Sequence, residues 1–276
     1  MANAIYAKAS TLVNSSFTVA VQAGNGTEDT GYEAMHLTDW TSPETQHQPA
    51  KLTTTYGAWV LSAAAAVQVE LAVLWLHNFD DDIDVRLDAH TADNWAAPTW
   101  TKAFTIPAAW ADGRRAPVFL DLRTEDPGTT GYRFYRLAIG DGSPQNSVAL
   151  AAKLLLFSAC EDLPGLNFEL EHAPAYVFRT DILRTDLGFR ADVLDHQILR
   201  RSWRGSVVVD GAADRALIED WYRDAHGSAS PVVWVPDPDV NDAWVCEFVG
   251  LSVEPMTNAA TRIGLDLAEL APGAPL

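Results

Sequence analysis

The chain has 276 residues, 48% of them hydrophobic, which suits one or two globular domains and excludes a disordered chain. Its net charge of −18 repels phosphate backbones and so excludes stable nucleic-acid binding. No stretch approaches the roughly 20 apolar residues of a membrane-spanning helix; Ala63–Leu76 comes nearest and is interrupted by Gln68 and Glu70.

The N-terminus, MANAIYAKASTLVNSS, has no basic flank followed by an apolar run, so no secretory leader is expected. Ser16–Gln22 alternates and is rich in β-branched residues, which predicts a strand ended by the turn formers of Gly24–Gly31. Val67–Leu76 alternates early and becomes continuously apolar, as a strand buried on both faces does. Ile83–Leu87, Lys102–Ile106 and Pro117–Leu122 are further short strands. Tyr132–Ile139 sets Tyr132, Phe134, Arg136 and Ala138 on one face and Arg133, Tyr135, Leu137 and Ile139 on the other. Neither face is purely polar, so both are expected to meet protein. Val148–Phe157 reads as helix or strand, with a closing strand preferred. Glu161–Gly165 combines charge, Pro and Gly between apolar segments and predicts a boundary, giving domains 1–162 and 163–276.

Beyond it, Ala175–Arg179 and Arg184–Arg190 are short strand candidates. Gln197–Asp210 is one long strand or a bent pair, with Gly205 a candidate bulge. Asp210 reads as a helix N-cap, followed by Ala213, Leu217, Ile218, Trp221 and Ala225 at helical spacing, and Gly227 suits the helix end. One helix is therefore expected over about 212–225. Pro231–Val235 and Ala243–Val249 are paired strands around the turn Pro236–Asp242. Thr261–Leu270 alternates, with Ile263, Leu265, Leu267 and Glu269 on one face.

Catalytic signatures are missing. There is no GxSxG elbow and no HExxH spacing among the seven histidines, so no enzymatic role, cofactor or metal is expected. Asp80, Asp81, Asp82 and Asp84 offer the hard oxygens that Ca²⁺ prefers, but the EF-hand spacing is absent and a solvated loop is the simpler reading. Cys160 and Cys246 read as small core residues. Trp95, Trp100 and Trp110 lie among polar residues and prolines and are the candidates for stacking on a sugar face; core or loop-anchoring roles are the alternative. Arg200, Arg201 and Arg204 flank Trp203 and form a basic spot in an acidic chain, suited to pairing with acids of a neighbouring subunit or with local aspartates.

Thr38-Asp39-Trp40, the strand Val67–Leu76 running into His77-Asn78, Trp95–Phe104, the run Tyr132-Arg133-Phe134-Tyr135-Arg136-Leu137 and the strand Leu154–Phe157 occur in the order of a discoidin-like (galactose-binding-like) jelly roll. The first half resembles that family over about 10–160. Leu199-Arg200-Arg201-Ser202-Trp203-Arg204-Gly205, the helix Ala213–Ala225, Gly227, Ser230-Pro231-Val232-Val233-Trp234-Val235-Pro236-Asp237 and the closing Leu267-Ala268-Glu269-Leu270 are similar to the tail-tube-like domain of long-tailed bacteriophage distal tail and minor tail proteins. This covers about 165–276. The fold implied is mainly β: an N-terminal β-sandwich jelly roll and a C-terminal β-sandwich or split barrel with one α-helix.

Together the resemblances imply a structural ring protein of a siphophage-type tail tip or baseplate. It would be made in the host cytoplasm and carried in the virion. Its partners would be copies of itself, as a hexamer rather than a trimer, together with the tail tube protein and tail hub proteins. A carbohydrate-binding module for host-surface glycan is the alternative, and a glycan-active enzyme the least supported reading.

Overall fold

The computed structural model describes residues 4–24, 26–40, 48–81, 83–109, 115–140, 150–163, 167–169, 175–177, 180–184, 190–194, 200–227, 231–240, 242–257 and 260–270. The protein is mainly β. In chain order the strands are β1 (Ile5–Ala7), β2 (Phe17–Val21), β3 (Ala50–Leu52), β4 (Gly57–Val67), β5 (Leu71–Trp75), β6 (Val85–His90), β7 (Trp100–Ala103) and β8 (Val118–Asp121). A one-turn helix α1 (Asp126–Thr129) precedes β9 (Tyr132–Ile139), β10 (Leu150–Phe157) and β11 (Glu161–Asp162). Then come β12 (Asn167–Glu169), β13 (Ala175–Val177), β14 (Thr180–Arg184), β15 (Arg190–Leu194) and β16 (Arg200–Asp210). Helix α2 (Ala212–Gly227) leads to β17 (Val232–Asp237), β18 (Asp242–Pro255) and β19 (Ala260–Glu269). The chain forms two compact units, Met1–Leu163 with Gly227–Val245, and Pro164–His226 with Cys246–Pro275.

The first unit is an antiparallel β-sandwich. One sheet has the order β2-β4-β9-β6-β7 and the other β3-β10-β5-β8. They share a core that includes Phe17, Trp59, Leu61, Leu87, Tyr135 and Leu137 from the first sheet and Ala72, Leu74, Leu154 and Leu156 from the second. β2 alternates buried and open positions, as a strand with one wet face should. The expected strand Val67–Leu76 is divided: Val67 ends β4 and only Leu71–Trp75 forms β5, whose five residues are all buried, Ala72 and Leu74 in the shared core and Leu71, Val73 and Trp75 on the opposite face. Leu155 and Phe157 of β10 are buried on that face as well. β10 is the closing strand, paired with β5 from Lys153↔Trp75 to Phe157↔Leu71. β1 lies between β11 and β17. In β9 the alternation breaks: Tyr132 joins Tyr135, Leu137 and Ile139 in the core, because β4 changes register between Ser62 and Val67 opposite it.

In the second unit β19 pairs with β16 from Ser202↔Ala268 to Asp210↔Ala260, and with β18 on its other side. β12 and β13 pair with the opposite edge of β16. Ile263, Leu265, Leu267 and Glu269 are buried on one face of β19, as its alternation predicts. Helix α2 buries Ile218 and Trp221, and Trp221 meets Phe248 edge-on at 4.6 Å between centroids.

Several local expectations are corrected. Arg184–Arg190 is not one strand: Arg184 ends β14, Arg190 begins β15, and the two residues pair. Gly205 makes no bulge, since β16 and β19 stay in register through it. The space above it is filled by the Trp203 ring, and a Cβ there would lie 2.6 Å from that ring. The irregularity falls instead in β18, between Phe248 and Gly250. Asp210 does not cap the helix. It ends β16 opposite Ala260, and Gly211, at φ +97°, supplies the carbonyl that accepts from Arg215 N.

Candidate functional site

Among the described residues no cluster of catalytic type emerges, so surfaces and buried polar groups carry the functional information. The largest change from expectation is in β18. In its sheet β18 lies between β17 and β19, and it pairs with β19 along Cys246–Pro255. Its later part carries apolar side chains in water: Val249 is 58% exposed, Met256 just past the strand is 47% exposed, and Leu251 and Val253 are half-buried. Val249 shares its exposed side with Glu247, with Phe248 buried between them, and the register shift follows between Phe248 and Gly250.

The basic spot resolves into separate roles. Arg204 is 83% exposed in its side chain and donates to Asp266, its cross-strand neighbour, from Nη2 at 2.6 Å and Nε at 3.1 Å. Trp203 is buried over Gly205. The backbones of Arg200 and Arg201 pair with Val177 and Tyr176, and their side chains lie outside the described part.

On the first unit, Arg86, Asp88 and His90 project from β6 on the side away from the core residues Val85, Leu87 and Ala89. Asp88 is fully buried. It accepts from Arg136, its cross-strand partner, through Nε at 2.8 Å and through Nη2, and from Thr101 Oγ1 at 2.6 Å. Arg136 also donates to Gln22. Trp95 lies over the Arg136 guanidinium, 4.9 Å from it to the ring centroid, and donates its indole N–H to Asp93 at 2.7 Å. Trp95 therefore anchors its loop while staying half-exposed. Trp100 packs on the core and donates to Glu125. Trp110 lies outside the described residues. The period-two placing of charges in Val85–His90 was legible, but their partner on β9 was not.

Asp80 accepts from Arg115 at 3.1 Å and Asp84 from Arg86 at 2.9 Å, while Asp81 is exposed and Asp82 lies outside the described residues. Among the described residues no group of three or more His, Cys, Asp or Glu is placed to hold a metal ion. Both cysteines are buried thiols. His77 is buried, donates from Nε2 to Ala116 O at 3.0 Å and stacks on Phe79; burial pushes its pKa down to about 4. Lys153, missed in the sequence because it sits in an apolar strand, is fully buried. Its ammonium donates to Gln48 O at 3.2 Å and lies 5.6 Å from the Trp40 ring centroid, and burial pulls its pKa down to about 8 against the attraction of Asp39.

No protein-family model matches the chain, and no curated protein matches it at a significant level. Among solved structures, the lectin domain of lectinolysin complexed with Lewis B antigen is similar at 10% identity and a TM-score of 0.31, over 52% of this chain and 92% of that one. An F-lectin (fucolectin) from Morone saxatilis (striped bass) serum is similar at 9% identity and a TM-score of 0.33, over 98% of this chain and 94% of that one. Likeness of this degree decides neither the family nor the ligand of this chain.

Proposed function

We propose that this chain is a structural, non-enzymatic subunit of a long-tailed phage tail tip, assembling with copies of itself and with tail tube and hub proteins. The observation that carries this reading is the exposed apolar stretch at the end of β18, with Val249 and Met256 in water beside half-buried Leu251 and Val253. Natural proteins gather such side chains in water mainly where a partner covers them. The order β16, α2, the Pro231–Asp237 segment, β18 and β19 is also the element order on which the tail-protein resemblance rests. The test is the particle mass of the purified chain over a concentration series, alone and with a tail tube protein. A closed oligomer is expected, a hexamer before a trimer. A monomer at every concentration that ignores tail proteins overturns the proposal.

Glycan attachment through the first unit is a second reading, favoured by the half-exposed Trp95 in the otherwise open loop after β6. Retention of the intact chain on a glycan array, lost in Trp95→Ala, supports it; no retention removes it.

A further inference from the structure

We propose that Cys160–Leu163 is an electrostatically latched strap, a short segment held along the edge of β1 by the Arg123 guanidinium, and that it opens as a unit, taking its own buried thiol Cys160 with it, when that group is lost. The inference is independent of the proposed function. The backbone hold is small: β11 pairs only Ile5↔Asp162 and Tyr6↔Glu161, and Leu163 N donates to Ala4 O at 2.7 Å.

Side chains supply much of the rest. Arg123 bridges two carboxylates, reaching Asp162 from Nη1 at 2.8 Å and Asp121 from Nη2 at 2.7 Å and Nε at 3.0 Å. Glu161 accepts from the Tyr6 hydroxyl at 2.7 Å and from Lys8 at 3.4 Å. Cys160 N donates to the Glu70 carboxylate at 3.1 Å. Bonds to charged groups exceed neutral ones in strength, so the latch is concentrated in few atoms.

The same charges make the strap able to open. Glu70, Asp121, Glu161 and Asp162 gather here against Arg123 and Lys8, with Lys102 reaching only the Asp121 end. Without Arg123, Asp121 and Asp162 share no counter-ion and repel. The thiol reports on this environment: burial, then the fields of Asp121, Glu70 and Asp162, push Cys160 up to about 12 against the pull of Arg123. Cys160 and Leu163 are both buried, so the closed strap rests on an apolar seat that survives its lifting. Opening uncovers the thiol and the outer edge of β1. A local opening of this kind is separable from global unfolding.

The experiment is maleimide labelling of the intact chain at pH 8, with peptide mass spectrometry resolving Cys160 from Cys246, alongside hydrogen exchange. In Arg123→Gln, Cys160 is expected to label about five to tenfold faster than in the wild type, with a smaller rise in Asp162→Asn. The amides of Cys160 and Leu163 should exchange faster while those of Leu154 and Leu156 keep their protection. Asp162→Asn serves alone if the first variant does not fold. Wild-type labelling rates in the folded variants overturn the proposal. So does acceleration that extends equally to Leu154 and Leu156, which would mean unfolding of the sandwich.

Discussion

Lys153 and the Asp88–Arg136 pair show how single residues set the behaviour of the first unit. Burial lowers the folded pKa of Lys153 to about 8, below the ordinary lysine value of about 10.4 expected in the unfolded chain. Below pH 8 both states carry the proton and the folded state bears the full cost of a buried charge. Between about pH 8 and 10.4 the unfolded chain binds more protons, so stability gained from this residue rises with pH. Denaturant midpoints from pH 7 to 10 are expected to show that rise, and Lys153→Met to flatten it. The Asp88–Arg136 pair behaves differently because both partners are buried and hydrogen-bonded. Removing Asp88 leaves Arg136 buried and charged with no carboxylate partner, at a cost of about 3–5 kcal/mol. Asp88→Ala should therefore lose more stability than Asp88→Ala combined with Arg136→Met. Equal losses in urea unfolding of the two variants would remove the pair from the account.

Among the elements, β18 departs furthest from its sequence pattern. The register break beside Gly250 falls within it, and Glu254 and Pro255 interrupt its apolar run near its end. They leave a short apolar stretch from Val249 to Val253 that a chosen partner can cover. Val249 is largely in water, so Val249→Lys should change the melting temperature of the isolated chain little. The same substitution is expected to abolish the oligomer in mass photometry. Loss of thermal stability together with assembly would place Val249 in the fold instead of the contact. β16 shows the reverse case. Its glycine, expected to break the strand, keeps it regular because the Trp203 ring occupies the space of a side chain.

At the scale of the whole molecule, the charge of −18 works against assembly. Copies of so acidic a chain repel at long range, and salt screens that repulsion with a Debye length of about 10 Å at 0.1 M. An oligomer closed by apolar side-chain contacts should therefore strengthen from low to moderate salt. One closed by exposed arginines such as Arg204 should weaken, and its contacts are already taken by Asp266 within the chain. Mass measurements at two salt concentrations distinguish these modes.

Patterns of period and punctuation carried much of the fold by themselves. The doubly buried β5, the closing β10, helix α2 and the inward face of β19 follow from side chains that recur at the spacing of the backbone itself, a local property. The mainly β class follows from their sum. Tertiary structure decided what depends on residues distant in sequence. The partners of Asp88, Arg123 and Lys153 come from other strands, loops or the strand ends. Whether Gly205 is a bulge depends on Trp203 and β19. The cap of α2 passed from Asp210 to Gly211 because β16 holds Asp210 in its ladder against Ala260. Hydrophobic periodicity encodes which face is buried. It does not encode which chain segment buries it.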